Sequence, residues 1–433
     1  MSLIGEYIRR LPEYLRVPLY KNAIYLMADR VLMAGLGFLF WIVIARYYSP
    51  EEAGFAAAII PVILFLALLS RFGFEIALVR FLPSSGKNST VIINSCFTIT
   101  GIGALLISVV FLLGLEFWAP ALLFIRARWE LAVSFVLFTV TFALLVLMTQ
   151  VFVARRRSAF VMATTLVGGV RIALPVVFAV YFGAFGVLAS WGFAETLAVI
   201  IGMLLFMRIV IPGYKPIPTM RWGVVKDMVR YSAGNYVAAI FGMLPAALLP
   251  LLVLHELPTE NVAYYYIAYT ISSLLFAITG AVCMSLLAEG SHFERELRGN
   301  VKKALKLIFL LLVPGVLFVM FLGGYLLLLF GGDYSSEGFV LLQVFAIASI
   351  FMAFNGVFLA TRRVLKRMWP IIAIPAFNAF AIVSLANLLL GPMGLVGTAI
   401  AWALSHALIS LGIGVYYVVL HLRGLGGSAL VPT

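Results

Sequence analysis

The sequence predicts an all-α, polytopic membrane protein. Twelve transmembrane helices are expected, arranged as two parallel six-helix repeats around a central cleft. Three observations predict this fold. The chain is 64% hydrophobic and 11% charged, with a mean hydropathy of +1.13, well beyond the composition of soluble globular proteins. Apolar stretches long enough to cross about 30 Å of hydrocarbon follow one another along nearly the whole length. Short motifs from the first half return in the second half at a nearly constant offset.

The first apolar stretch begins after Lys21 and belongs to a span expected at 20–46. It is too long for a cleaved signal peptide and no small-residue cleavage site follows it, so it is retained as span one. Spans two to six are expected at 53–82, 89–115, 130–154, 158–182 and 186–208. Spans seven to twelve are expected at 231–254, 261–288, 303–330, 338–361, 369–390 and 394–420. This gives an N-lobe over 1–210, including an amphipathic N-terminal segment, and a C-lobe over 222–423. Between them, 211–221 carries Pro212, Gly213, Pro216 and Pro218, which break helices and mark a linker. The small-residue tail 424–433 is expected to be disordered.

The connections alternate in charge. Of the 30 Lys and Arg, 24 fall on the side that holds both termini, 3 (Arg46, Arg126, Arg128) on the other, and 3 inside spans. The positive-inside rule then places both termini in the cytoplasm and the chain in the cell membrane. It also accounts for the net charge of +13 without nucleic acid as a partner, and it puts the Asn88-Ser89-Thr90 sequon on the cytoplasmic side.

Val151-Phe-Val-Ala-Arg-Arg-Arg157 at the end of span four returns as Val357-Phe-Leu-Ala-Thr-Arg-Arg363 at the end of span ten. Tyr181-Phe-Gly-Ala-Phe-Gly186 corresponds to Leu390-Gly-Pro-Met-Gly394, and Ser49-Pro-Glu-Glu52 to Leu257-Pro-Thr-Glu260. These pairings lie 206 to 208 residues apart. Six spans per unit is an even number, so the halves share one orientation, as in transporters built from parallel repeats.

Little points to an enzyme. Cys96 and Cys283 lie inside spans, the four histidines show no metal-ligand spacing, and no phosphate-binding GKS or GKT loop is present. Neither a catalytic residue, a metal nor a cofactor is expected. The longest outward loop, Glu116 to Glu130, is short for a glycan-processing enzyme, which disfavours a membrane glycosyltransferase or polymerase.

Ile44-Ala-Arg-Tyr-Tyr-Ser-Pro-Glu-Glu-Ala-Gly54, Phe72-Gly-Phe-Glu-Ile-Ala-Leu-Val-Arg80 and Gly183-Ala-Phe-Gly186 resemble oligosaccharide flippases. These form the polysaccharide-transport, O-antigen flippase-like branch of the multidrug/oligosaccharidyl-lipid/polysaccharide exporter (MOP) superfamily. The resemblance implies alternating access and an isoprenoid-phosphate-linked oligosaccharide moved from the cytoplasmic to the outer leaflet. The implied partners are that lipid-linked oligosaccharide, membrane lipid and other polysaccharide-assembly proteins. A cation-coupled multidrug or small-solute exporter of the same superfamily is the alternative. Coupling to H⁺, Na⁺ or the membrane potential stays open.

Six ionisable residues fall within the spans of the first half: Asp29, Arg30, Arg71, Glu75, Arg171 and Glu195. A charge at bilayer depth costs roughly 2.5–3.5 kcal/mol on insertion scales, so each must be paired, hydrated or functional. At about 1.5 Å per residue, the first four lie about 10–16 Å from the cytoplasmic end. Arg71 and Glu75, four apart, are expected on one helix face. Arg30 and Arg71 are the expected phosphate ligands, and Asp29 and Glu75 the charge-compensating or coupling acids. Arg171 and Glu195, both near mid-membrane, are expected to form a structural ion pair. Asn235 and Tyr236 are expected across the cleft as further substrate ligands. Asn355, Asn378 and His406 are the other buried polar candidates of the second half. Tyr264-Tyr265-Tyr266 reads as an interfacial aromatic belt or a sugar-stacking surface. Gly35, Gly37, Pro245 and Pro250 are candidate bends.

Overall fold

A computed structural model describes residues 18–292 and 296–422. The expected amphipathic N-terminal segment, up to residue 17, and the expected disordered tail lie outside the described residues. Within them, eleven helices are long and apolar enough to cross a membrane, and one bent pair supplies a twelfth span. The main helices are α1 (Pro18–Tyr47), α2 (Pro50–Ser70), α3 (Phe74–Phe81), α4 (Ser89–Leu113), α5 (Trp129–Ala154), α6 (Ala159–Gly168), α7 (Leu174–Phe182) and α8 (Phe185–Ile201). After them come α9 (Met207–Val210), α10 (Trp222–Glu256), α11 (Glu260–His292), α12 (Leu297–Leu328), α13 (Gly332–Val364), α14 (Met368–Met393) and α15 (Val396–Leu422).

Three spans depart from the continuous α-helices expected, span six through a π-helical stretch at Gly202–Phe206 between α8 and α9. Span two ends at Ser70, turns through Arg71–Gly73 and restarts as α3. Phe72 and Gly73 adopt positive φ values of 51° and 76°, which no continuing helix allows. Arg71 and Glu75 therefore do not share a helix face, although they still meet. Span five bends by 43° between Ala159–Ile172 and Leu174–Phe182, with a tight 3₁₀ turn at Gly169–Ile172. Pro175 sits at the start of α7; it has no N–H to give the Arg171 carbonyl, and its ring crowds that carbonyl. By contrast, α1 runs unbroken past Gly35 and Gly37, and α10 past Pro245 and Pro250.

The chain divides into two compact units, residues 1–48 with 62–236, and residues 49–61 with 237–433. The division falls within α2 and α10. In the first unit α5 is the hub, packing on α3, α4 and α8. Phe74, Leu78, Ile93, Cys96, Leu147, Met148 and Phe152 form its core, all fully buried. Gly192 of α8 allows close approach to α5, since a Cβ there would collide with the Phe138 ring. The linker is pinned to α4: Asn94 Nδ2 donates to Lys215 O at 2.9 Å, and Thr219 N donates to Thr98 Oγ1 at 3.0 Å. Tyr214 anchors it from within, and burial pushes its hydroxyl pKa above the ordinary value.

In the second unit α13 is the hub, packing on α11, α12 and α15. Ser49 and Glu52 form a reciprocal capping box that starts α2, with Ser49 N donating to Glu52 Oε2 at 2.9 Å and Glu52 N to Ser49 Oγ at 3.2 Å. Two of the three tyrosines of the run belong to the core, and Tyr266 is half-buried. Tyr265 and Tyr264 are buried, and Tyr265 stacks on Tyr269 and meets Phe345, which in turn meets Trp402. Helix phase turns positions 265, 269 and 276 onto one face, toward α13 and α15.

The repeat is visible as matching helix ends. Arg156 and Lys366 share the left-handed cap, and the next residue donates back: Arg157 N to Phe152 O at 2.9 Å, Arg367 N to Arg362 O at 2.9 Å. Gly183 and Gly394 take the same positive-φ turn. These pairs lie 210 and 211 residues apart, so the motif pairings at 206 to 208 are short by up to about one helical turn.

Candidate functional site

The break in span two builds the site. Gly73 lies where a Cβ would stand 2.5 Å from Ser232 Oγ and 3.1 Å from Tyr236 Cβ, so α10 presses directly on the break. The interruption frees carbonyls in an apolar setting, where each needs a partner. Tyr236 supplies one, its hydroxyl donating to Leu69 O at 2.6 Å, and Phe74 N donates to Arg71 O at 2.8 Å.

Arg71 projects from this turn. It is 8% exposed, and its Nε stands 3.5 Å from Glu75 Oε1. Among the described residues, Arg71 Nε and Nη1 have no hydrogen-bond partner, and neither has Glu75 Oε2. A buried guanidinium with spare N–H groups is costly, and an acceptor placed against it would lower that cost. Tyr236 belongs to this group in the same unit as Arg71, rather than facing it from the other lobe.

Asp29 and Arg30 part company. Asp29 is buried and accepts a 2.6 Å hydrogen bond from Thr165 Oγ1 on α6. Arg30 is exposed. Among the described residues neither forms an ion pair, so Glu75 is the acid that meets an arginine of this layer. Asn235 is also exposed. At the bend of span five, Arg171 Nη1 donates to Glu195 Oε1 at 3.0 Å, both side chains 11% exposed.

Sequence reasoning missed Ser232 and Thr165. For Ser232 the signal was present, a polar pair at 232 and 236 on one face of an apolar helix. In the second unit, Asn355, Asn378 and His406 converge. His406 Nδ1 lies 3.2 Å from Asn355 Nδ2 and Nε2 3.2 Å from Asn378 Nδ2, with Ser405 and Ser410 closing the network. Among the described residues no group of His, Cys, Asp and Glu could hold a metal ion.

The family described as "Polysaccharide biosynthesis protein" matches residues 43–337, more than half of the chain. The chain belongs to this family. No curated protein matches its sequence. Its fold is similar to an inward-facing multidrug resistance MATE family transporter of the MOP superfamily, with TM-score 0.67 and 14% identity over 92% of this chain and 96% of that one. It is similar also to the lipid II flippase MurJ in an inward closed conformation, with TM-score 0.70 and 13% identity over 90% of this chain and 86% of that one. A MATE structure in the bent conformation follows at TM-score 0.59 and 15% identity, over 96% and 98%. This member of the polysaccharide biosynthesis family is therefore a multi-pass helical membrane protein whose fold is that of the MATE and MurJ structures.

Proposed function

We propose that the protein is a flippase that carries an isoprenoid-phosphate-linked oligosaccharide from the cytoplasmic to the outer leaflet by alternating access. The observation that carries this reading is the buried Arg71 guanidinium, with two nitrogens lacking hydrogen-bond partners at a break in a membrane span. Arg71 receives a phosphate oxygen of the cargo, and the exposed Arg30 adds attraction. Glu75 balances Arg71 while the site is empty, and Tyr236 holds the turn that presents it. The family description supports a polysaccharide precursor as cargo. An anionic head group leaving a negative interior gains about 2.3 kcal/mol per charge per 100 mV, so the membrane potential favours export.

A cation-coupled exporter is the second reading, favoured by one observation: Glu75 Oε2 is buried without a partner, as a carboxylate awaiting H⁺ or Na⁺ would be. Cells carrying the Arg30→Ala, Arg71→Ala double variant decide between them. The flippase reading expects lipid-linked oligosaccharide to accumulate on the cytoplasmic leaflet at normal protein level. Wild-type glycan export alongside lost drug efflux would overturn it.

A further inference from the structure

The second unit holds a cavity of about 1110 Å³ where α13 ends and α14 begins, closed on one side by α15. Three cations line it: Arg362, Lys366 and Arg367. Among the described residues no acid and no amide does. Apart from Tyr416 and Trp369, the remaining lining is apolar. Arg362 is 6% exposed, with its Cζ 4.6 Å from the Phe358 ring centroid and 5.4 Å from that of Tyr416. These rings fix the guanidinium, yet among the described residues Nε and Nη2 have no hydrogen-bond partner. That pair of N–H groups is the edge of an arginine that grips a phosphate with two parallel bonds. The left-handed cap at Lys366 folds the turn back, Arg367 N donating to Arg362 O, so that all three cations gather at one mouth.

We infer that this cavity binds an anionic glycerophospholipid of the cytoplasmic leaflet. The phosphate lies on the Nε–Nη2 edge of Arg362 within reach of Lys366 and Arg367, and one acyl chain follows the apolar wall. Basic pockets between membrane helices on the cytoplasmic side are suited to such head groups. The turn between spans ten and eleven belongs to the Lys/Arg-rich side of the chain. Three cations with no acid among the described lining residues favour an anionic occupant over a neutral sugar chain. The site shares no residue with the Arg71 site and does not depend on the cargo proposed there.

The test is native mass spectrometry of the full chain in mild detergent, titrated with phosphatidylglycerol, phosphatidylcholine, glycerol 3-phosphate or a polyprenyl phosphate. Wild-type protein should retain phosphatidylglycerol about tenfold better than phosphatidylcholine, and the exposed-residue variant Lys366→Gln, Arg367→Gln should lose about that factor. Arg362→Lys keeps the charge but loses the fork and should lose retention as well, while Arg71→Ala should keep it. Equal retention by the Lys366→Gln, Arg367→Gln variant, or no preference over phosphatidylcholine, overturns the inference. Glycerol 3-phosphate binding as tightly as the lipid would show a free-anion site. Tighter binding of polyprenyl phosphate would show a cargo station. Either would replace the assignment.

Discussion

Arg171 and Glu195 show what a membrane demands of single residues. Their 3.0 Å contact is nearly dry, and removing one partner leaves the other charge uncompensated. Arg171→Ala or Glu195→Ala should each destabilise by about 3–5 kcal/mol, read as a fall in melting temperature or in folded yield. A double apolar replacement should recover much of the loss; a double variant as unstable as the worse single one would show that the two do not interact. Tyr236→Phe should cost about 1–3 kcal/mol, because Leu69 O is left without its donor. All six ionisable residues were legible in the sequence, since any charge inside a span stands out. Their pairing was legible only in part. Asp29 turns to Thr165, a threonine that nothing in an apolar helix distinguishes, and Arg30 next to it turns outward by helix phase alone.

At the level of elements, hydropathy located every span but could not see inside them. Arg71–Gly73 sits inside a stretch that is apolar enough overall to be read as one span, so mean hydropathy gave no reason to stop the helix there. The signals were local, Gly73 for a positive φ in span two and Pro175 for the bend in span five. Gly73→Ala tests the first. It forces a Cβ into the left-handed region and onto Ser232, and should destabilise the protein by about 1–3 kcal/mol. Gly73→Ala combined with Ser232→Gly should relieve the collision but not the backbone strain. The linker makes a separate prediction. Although its prolines suggested a mere spacer, Asn94 and Thr98 strap it to α4. Asn94→Ala with Thr98→Val should speed limited proteolysis within 211–221 severalfold while leaving the spans intact, since a freed backbone opens more often. Unchanged cleavage would mean that Tyr214 and the contact of Arg221 N with Ser95 Oγ are enough to hold it.

For the whole molecule, duplication was legible because helix ends carry distinctive chemistry. Its register was not, because similar residue strings near an end can slide by a turn while the caps cannot. The hubs confirm the caps, α5 in the first unit and α13 in the second being the fourth and tenth spans. Orientation rests on charge asymmetry and has its own check. Single cysteines at Glu51, Glu260 and Asp333 should react with an impermeant thiol reagent added outside, and those at Ser84, Lys215 and Arg298 should not. One reversed site would break the twelve-span order. The central claim is that Arg71 takes the phosphate of a lipid-linked cargo. Its most direct measurement is flipping of a purified isoprenoid-phosphate-linked oligosaccharide in liposomes holding the full chain, followed by its accessibility to an impermeant glycosidase. The account predicts transfer by wild-type protein, its loss with Arg71→Ala at equal reconstitution, and a partial rate with Arg71→Lys, where the charge remains without the fork. Wild-type rates from Arg71→Ala would contradict it.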